Sequence, residues 1–374
     1  MDNNLPSADR KKEFARFASE RVAPFAEAAD RTGCLSDDVI DALSDAGYLG
    51  ALVSPEYGGM GMSQAQYGEL TAEIARSCSA TRTLLTVHGL VTTSVARWGS
   101  DKLKGDFLRR FTSSAGLTAF AMSEANAGSD AKAIELSIQE DGADLLLFGE
   151  KRWISFGARA AYILVFGVLA GASTAVLVNG DCPNLIKEAV PSMVGTRGAM
   201  MANLRFDGCR VPKNAIVGRP GFGVSHVAAT ALDFGRYSVA WGSIGIIEAC
   251  VRKSLEFSNA RYQFDKRIKD HPQVAARITK MLAVSRVTRL LATEAGRLRD
   301  EGSPDSLLET MLAKYAASKG AVYAANEAIQ IHGARGLLTE TGLERLLRDA
   351  KVTEIIEGSS DVLETMICSL ISSV

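Results

Sequence analysis

A single carboxylate near the C-terminus is the residue of this chain best placed for proton transfer. Glu357 lies between two isoleucines and Gly358, and Ser359 and Asp361 follow closely. Burial beside apolar residues raises a carboxylate pKa and makes the ionised form a stronger base. A glycine lets a ligand approach the backbone, while the hydroxyl and the second carboxylate can bind it. Residues 348–361 therefore predict either a general base beside a bound ligand or a helix that ends at a glycine.

Two segments in the middle of the chain could hold a flat or phosphorylated ligand. Ser123 and Ser129 lie in a loop of small residues after a strand predicted at 117–122, and N–H and hydroxyl groups in such loops can bind a pyrophosphate or a flavin ring edge. Trp153 and Ser155 are two residues apart on a second predicted strand, so they should share a face. Each segment alone is equally typical of an ordinary turn or of a core tryptophan.

Two further segments, in the C-terminal half, offer phosphate contacts. Arg261 follows a helix predicted at 227–260 and can bind a phosphate through two hydrogen bonds, and Phe264 can cover an aromatic ring. Residues 330–336 form a glycine-rich turn after another helix, where the backbone can approach a phosphate. Alone, these segments are also typical of a solvated basic helix end and of a simple glycine turn.

Composition excludes several classes of protein. The chain has 374 residues, 47% of them hydrophobic and 23% charged, and a net charge of -1, which is ordinary for a globular protein and gives no indication of a nucleic-acid partner. The six cysteines and four histidines are scattered without metal-ligand spacing, so we expect no metal and reduced thiols. We see neither a signal peptide nor an apolar run long enough to cross a bilayer, and we expect a cytoplasmic protein without membrane contact.

Periodicity predicts an α+β chain in three parts. Apolar residues at helical spacing dominate residues 1–113, short strands separated by Gly and Asp turns fill 114–222, and long helices return over 223–374. The expected order is helices, a compact β domain and a helical bundle.

The order and spacing of these segments resemble the acyl-CoA dehydrogenase family over nearly the whole chain. The resemblance implies an N-terminal helical domain, a middle β-barrel-like domain and a C-terminal four-helix bundle. It also implies one FAD per subunit and a homodimer or homotetramer in which neighbouring chains complete each FAD site. Glu357 matches the base that removes the α-proton of an acyl thioester before hydride transfer to flavin N5.

The resemblance assigns most remaining motif residues to the cofactor. The positions implied to contact FAD are Phe120, Met122, Ser123, Ser129, Trp153, Ser155, Arg261, Phe264, Gln330, Gly333, Ala334, Ser359 and Asp361. Arg261 and Phe264 match the pair that reaches the FAD of a neighbouring subunit. Phe120 stands where tyrosine is frequent, and Ala334 replaces the second glycine of the usual pair, so the sequence departs from the family pattern at these two positions.

Four residues match the substrate side of the family. Asp233 and Arg236 match residues that line the thioester channel, and Gly235 occupies the position where some members carry an alternative base, which leaves Glu357 alone. Arg82 lies on a predicted helix and matches an arginine that holds the distal carboxylate in the glutaryl-CoA branch. A surface helix charge is the other interpretation of Arg82. Trp241 is bulky and suggests a short acyl pocket.

Two branches of the family fit these residues. Residues 238–242, 300–304 and 350–360 resemble members of polyketide and nonribosomal peptide pathways, which oxidise carrier-protein-bound three-carbon units into hydroxymalonyl-, methoxymalonyl- or aminomalonyl-type extender units for antibiotic biosynthesis. A short-chain or glutaryl-type acyl-CoA dehydrogenase is the alternative. The partners expected are an acyl carrier protein or acyl-CoA, with an electron-transfer flavoprotein or oxygen as acceptor. A flavin-free scaffold is a third interpretation, which a yellow protein would exclude.

Overall fold

The computed structural model describes residues 7–191 and 193–372. The first part of the described chain is helical. Its α-helices are α1 Ser7–Phe17, α2 Ala26–Thr32, α3 Asp37–Asp45, α4 Gln64–Ser77, α5 Ser79–Trp98 and α6 Asp101–Leu103. A capping box starts α4, because the Ser63 side chain accepts from the Gln66 N–H and the Gln66 side chain accepts from the Ser63 N–H. The helical character predicted for this part is confirmed.

The middle part is a mixed sheet of eight strands. They are β1 Thr118–Ala121, β2 Ser137–Asp141, β3 Asp144–Ile154, β4 Tyr162–Leu169, β5 Ala172–Asn179, β6 Leu185–Ala189, β7 Ala202–Pro212 and β8 Ile216–Val217. Their order is β6-β7-β3-β2-β4-β5-β8, and β1 pairs with β4 in parallel. The sequence predicted strands at 117–122, 144–148, 161–166, 175–178 and 204–206 and omitted β2, β6 and β8, which are short and lack the buried apolar run of β4 and β5.

The C-terminal part returns to helices. They are α7 Ala229–Ala260, α8 Pro272–Asp300, α9 Ser306–His332, α10 Leu343–Ile355 and α11 Ser360–Ile371, and strands β9 Tyr262–Gln263 and β10 Lys266–Arg267 form a hairpin between α7 and α8. The small buried side chains of α9 let neighbouring helices approach closely: Ala313, Ala317, Ala321, Ala324 and Ala328. The periodicity predicts a last helix over 343–351, which corresponds to α10, and it gives no helix at the position of α11. The expected order of a helical part, a β part and a second helical part is confirmed, while the exact domain boundaries stay a prediction.

Helices α5 and α7 pack antiparallel and form the frame of the site. The Thr86 and Ser238 hydroxyls lie 2.7 Å apart, and the Trp98 indole donates to the Thr230 hydroxyl at 2.8 Å. Close packing needs glycine, since a Cβ at Gly89 would overlap the ring of Phe234. In the described part of the chain, no helix combines the length and apolar character needed to cross a membrane.

Candidate active site

Glu357 lies in the turn between α10 and α11, in a backbone conformation that a glutamate rarely adopts. Its φ is +56° and that of Gly358 is +90°, so both residues are in the region that favours glycine. Ser359 caps α11, because its side-chain oxygen accepts from the Val362 N–H at 3.3 Å. Arg236 Nε donates to the Glu357 carbonyl oxygen at 3.3 Å. Such a conformation persists only where its surroundings hold it in place.

The Glu357 carboxylate is buried, and its Oε2 atom has no hydrogen-bond partner among the described residues. Burial raises the pKa of Glu357 to about 7, against the lowering effect of Arg236, Lys314 and Arg82. A carboxylate with such a pKa is a general base matched to neutral pH. A Cβ at Gly235 would overlap this carboxylate, so glycine at that position makes room for Glu357.

Arg82 is fully buried, so its interpretation as a surface charge is wrong. Its side chain lies on α5 with 0% exposure, beside Gly242 of α7, where a Cβ would lie 2.8 Å from Arg82 Nε. Nη1 donates to the Thr86 hydroxyl at 3.3 Å, whereas Nε and Nη2 have no partner within the described residues. Unpaired donors on a buried cation are costly, and they indicate a missing anionic or polar partner.

Buried hydroxyl groups fix the wall beside Arg82. The Ser238 hydroxyl lies within hydrogen-bonding distance of Thr86, at 2.7 Å, and of Tyr67, at 3.1 Å. Tyr67 also donates to the Leu85 carbonyl oxygen at 3.3 Å. Trp241 is buried one turn further along α7, where a Cβ at Gly68 of α4 would overlap its ring, and its role in limiting the acyl pocket stays a prediction.

A buried ion pair holds the loop predicted to face the cofactor. Lys151 Nζ of β3 donates to Glu124 Oε1 at 2.6 Å and to the Met122 carbonyl oxygen at 2.9 Å. The Glu124 carboxylate also accepts two backbone N–H groups, from Glu135 and Leu136, at 2.7 and 3.0 Å. The Arg152 N–H donates to the Ser123 carbonyl oxygen at 2.9 Å, which ties the loop to β3. Met122 and Ser123 are therefore held rigidly.

Trp153 and Ser155 do not share a strand face, contrary to the sequence prediction. The pairing of β3 with β7 is irregular between Lys151 and Ile154, Trp153 has a φ of +58°, and the strand ends at Ile154. The Trp153 N–H donates to Asn203 Oδ1 at 3.2 Å, and its side chain is 54% exposed. Ser155 is half-buried in the following turn. The bulge presents an indole that has no packing role in the core and can cover a flat ligand.

Residues 193–200 connect the Trp153 turn with the helix that leads to Glu357. On one side the Phe156 N–H donates to the Ala199 carbonyl oxygen at 2.7 Å. On the other side the Thr196 N–H donates to Asp349 Oδ1 of α10 at 2.6 Å. Burial raises the pKa of Asp349 to about 6. The two predicted halves of the site are thus joined through one short loop.

The structure distributes the other predicted residues over the core and the surface. Asp233 pairs with Arg299 at 2.5 Å while its Oδ1 stays buried without a partner among the described residues, and Phe120 packs on Phe166 with ring centres 4.9 Å apart. The exposed members of the predicted set are Ser129, Arg261, Phe264, Gln330, Gly333, Ala334 and Asp361. They lie on loops, on the β9–β10 hairpin and at helix ends, where a second subunit could reach them.

The sequence reasoning missed the residues that support the site: Lys151, Glu124, Lys314, Asp349, Tyr67, Thr86 and Ser238. A signal existed for Lys314, which occupies the apolar stripe of α9 between buried residues. Lys151 likewise alternates with exposed positions on β3. No group of three or more metal-ligating side chains occurs within the residues that the structure describes.

The fold, the buried carboxylate and the sequence together define the class of protein. The chain belongs to the acyl-CoA dehydrogenase family, whose N-terminal, middle and C-terminal domain models match residues 9–115, 119–209 and 223–370. It is an oxidoreductase that acts on acyl thioesters and uses FAD.

Relatives of different specificity are similar over nearly the full length. Acryloyl-CoA reductase (NADH) of Anaerotignum propionicum is 32% identical, with 96% of this chain and 92% of that protein covered. Glutaryl-CoA dehydrogenase of Desulfococcus multivorans is 31% identical, with 98% and 97% covered. The solved structure of FkbI, for biosynthesis of the methoxymalonyl extender unit of a polyketide immunosuppressant, is 32% identical, with 98% and 99% covered and a TM-score of 0.88.

The residues present fit a bound flavin. The exposed Trp153 indole, the rigid Met122–Ser123 backbone and the half-buried Ser155 hydroxyl supply an aromatic cover and hydrogen-bonding groups, and the buried Glu357 carboxylate lacks a polar partner in the described protein. Bound FAD supplies the electron acceptor for the carbon–hydrogen bond that is oxidised.

Proposed function

We propose that this protein oxidises a small acyl thioester with a polar or anionic distal group. The specific substrate proposed is a three-carbon unit bound to a carrier protein, which becomes a hydroxymalonyl-, methoxymalonyl- or aminomalonyl-type extender unit. The observation behind this proposal is the buried Arg82 guanidinium, two of whose nitrogen atoms have no partner within the described protein. A guanidinium binds a carboxylate or paired oxygens through its planar fork. Those groups on the substrate would supply the missing acceptors.

The charge around Glu357 supports an anionic substrate. Three buried cations, Arg82, Arg236 and Lys314, surround this one carboxylate and all act to lower its pKa. The acids Glu357 and Asp349 offset two of these three cations, and Asp349, whose pKa burial raises to about 6, is the acid that acts most strongly on Arg82. A site with excess buried positive charge is stabilised by a ligand that brings a negative charge.

In this proposal Glu357 removes the α-proton of the thioester. The α-hydrogen is weakly acidic, so the developing negative charge on the thioester oxygen needs hydrogen-bond donors, and the Glu357 N–H in the left-handed turn is the donor assigned here. Arg82 binds the distal end of the acyl group. Gly242 beside Arg82 and Gly235 beside Glu357 are seven residues apart on α7, about 10 Å along the helix, which suits a short acyl group.

A short-chain or glutaryl-type acyl-CoA dehydrogenase is the second candidate. Arg82 also suits the distal carboxylate of a dicarboxylyl-CoA, and the glutaryl-CoA dehydrogenase relative supports it. FkbI, whose name refers to an extender unit, supports the carrier-bound substrate. An electron-transfer flavoprotein or oxygen would then accept the electrons from the reduced cofactor.

The carrier proposal is tested by comparing one three-carbon acyl group on CoA and on its carrier protein. We expect a higher kcat/KM with the carrier, because a protein partner adds contacts that CoA lacks. Product is followed by mass spectrometry and flavin reduction by absorbance. Equal or better use of the CoA thioester would contradict the carrier proposal and favour the second candidate.

The exposed hairpin predicts a shared cofactor site. Phe264 is 88% exposed at the tip of the β9–β10 hairpin, where Phe264 and Asp265 form a two-residue turn with φ values of +52° and +60°, and Arg261 is exposed at its base. We propose that in a homodimer or homotetramer these two side chains contact the FAD of the neighbouring subunit. A large apolar side chain held in solvent favours a protein partner.

Replacing Arg261 with alanine should weaken FAD retention and subunit association together. The yellow wild type is expected to hold one FAD per chain, and the variant should lose FAD on gel filtration and shift to smaller species. Absorbance and light scattering measure both quantities. Arg21→Ala, at an exposed position of the N-terminal part, is the control. An Arg261→Ala protein that keeps both FAD and assembly would exclude the cross-subunit role.

A further inference from the structure

Lys314 is a buried cation that the proposed reaction does not use. It lies on α9 with 0% exposure, and its Nζ donates to the carbonyl oxygens of Gly358 at 2.7 Å and of Glu354 at 3.5 Å. No carboxylate lies within 4.0 Å of this ammonium group in the described part of the chain. Lys151, the other fully buried lysine among the described residues, pairs with the Glu124 carboxylate. Burial lowers the pKa of Lys314 to about 8, and the nearby Glu357 carboxylate opposes that shift.

These two carbonyl groups flank the catalytic turn. The last carbonyl groups of a helix lack partners within the helix, and Glu354 belongs to the final turn of α10. Glu354 precedes Glu357 and Gly358 follows it, so Lys314 binds carbonyl groups on both sides of Glu357 along the chain. Arg236 binds the carbonyl oxygen of Glu357 itself. Two cations therefore bind three carbonyl groups of this turn, those of Glu354, Glu357 and Gly358, and Glu357 itself has a φ of +56°. Cations at a helix C-terminus are favourable there.

We propose that Lys314 is a positioning residue for the reaction, whose ammonium group holds the turn from Glu354 to Gly358 so that the Glu357 carboxylate faces the substrate. This inference rests on the proposed role of Glu357 as the base. Burial of an ammonium group carries a large desolvation free energy, and two carbonyl oxygens offset it less than a carboxylate would. A charge kept at this position acts on Glu357, the carboxylate that raises the pKa of Lys314 most.

The charged groups that face Glu357 come from each packed element. Arg82 lies on α5, Arg236 on α7 and Lys314 on α9, and all three favour the ionised form of Glu357. Asp233 of α7 acts on Arg236, and Glu354 of the same turn acts on Lys314. Because Glu357 must be ionised to accept a proton, activity should rise with pH through its pKa. Removing the positive charge of Lys314 raises that pKa and moves the rise to higher pH.

The test compares Lys314→Met with the wild type as full-length, FAD-loaded proteins. Flavin reduction by propionyl-CoA and glutaryl-CoA is measured by stopped flow from pH 5 to 9, about two units either side of neutrality. We expect kcat to fall about 10- to 100-fold, KM to change by less than about threefold, and the ascending limb to move to higher pH. FAD content and melting temperature are recorded alongside. Lys319→Met, on the exposed side of the same helix, is the matched control and should behave as wild type.

The conservative variant keeps the inference testable if the methionine variant does not fold. Lys314→Arg preserves the charge but cannot reproduce the contacts of a compact ammonium group. We expect a lower kcat with the ascending limb at its wild-type pH. Wild-type kcat in Lys314→Arg, or a uniform loss of rate in Lys314→Met without a shift of the limb, would overturn the positioning role. Glu357→Gln measured in parallel separates the two ideas, since an active Glu357→Gln contradicts the base itself.

Discussion

Replacing Glu357 with glutamine should leave a folded, yellow protein whose flavin is no longer reduced by an acyl thioester. Glutamine matches the carboxylate in size, so it can occupy the same space beside Gly235. That space exists because residue 235 is a glycine, since a Cβ there would overlap the Glu357 side chain. The amide cannot accept the α-proton. Loss of a general base commonly lowers the rate by about 10² to 10⁴.

Rapid mixing of the oxidised variant with substrate under anaerobic conditions measures this loss directly, as the decay of flavin absorbance. The control is Glu364→Gln on α11, because Glu364 is exposed, accepts from the Tyr315 hydroxyl at 2.7 Å and lies 4.0 Å from the Lys319 ammonium group, away from Glu357. It should reduce its flavin at the wild-type rate. Bleaching of Glu357→Gln at near wild-type speed would show that another group removes the proton.

The wild type should also show the pH dependence that this base imposes. Burial raises the pKa of Glu357 to about 7, so the ionised base is lost as pH falls through that value. We therefore expect the rate of flavin reduction to rise between about pH 6 and 8 and then to level off. The residual rate of the Glu357→Gln variant should not rise over this pH range, which would assign the rise in the wild type to the ionisation of Glu357.

The sequence predicted the acid of the site but not the groups that hold it. Glu357, its flanking isoleucines and Gly358 are adjacent along the chain, so their pattern was visible. Lys314 and Arg236 reach the same turn from α9 and α7, across more than forty and one hundred residues, and local periodicity contains no information about such contacts. The same applies to the link between Thr196 and Asp349.

Local structure was predicted best where one period dominated. The periodicity predicts a helix over 306–332, which are the bounds of α9, and strands over 161–166 and 175–178, which overlap β4 and β5, whereas the polar strand β2 was missed. The prediction that Trp153 and Ser155 share a strand face was wrong for a different reason. A two-residue alternation assumes a regular strand, and the register shift near the end of β3 removes that assumption. The exposed indole that results is a feature of the pairing with β7 and not of the local sequence.

In the proposed function Arg82 binds the distal end of the acyl group, so its replacement should change the preference between substrates. A buried guanidinium that meets a carboxylate or a C3 oxygen contributes roughly 1.5–3 kcal/mol, about ten- to a hundredfold in kcat/KM. Arg82→Ala should lose that factor with a three-carbon unit that carries a distal oxygen. A simple acyl thioester, which offers no acceptor to Nε and Nη2, should lose much less or gain.

Two further variants make the Arg82 experiment specific. Arg82→Lys keeps the charge but not the planar fork, so it should recover only part of the preference. Arg97→Ala removes an exposed arginine from the same helix and should leave both substrates unaffected. The measurement is kcat/KM for one polar and one apolar acyl group, each on carrier protein and on CoA, in all four proteins. Equal losses for both acyl groups in Arg82→Ala would mean that Arg82 supports the hydroxyl network of Thr86 and Ser238 instead of binding substrate.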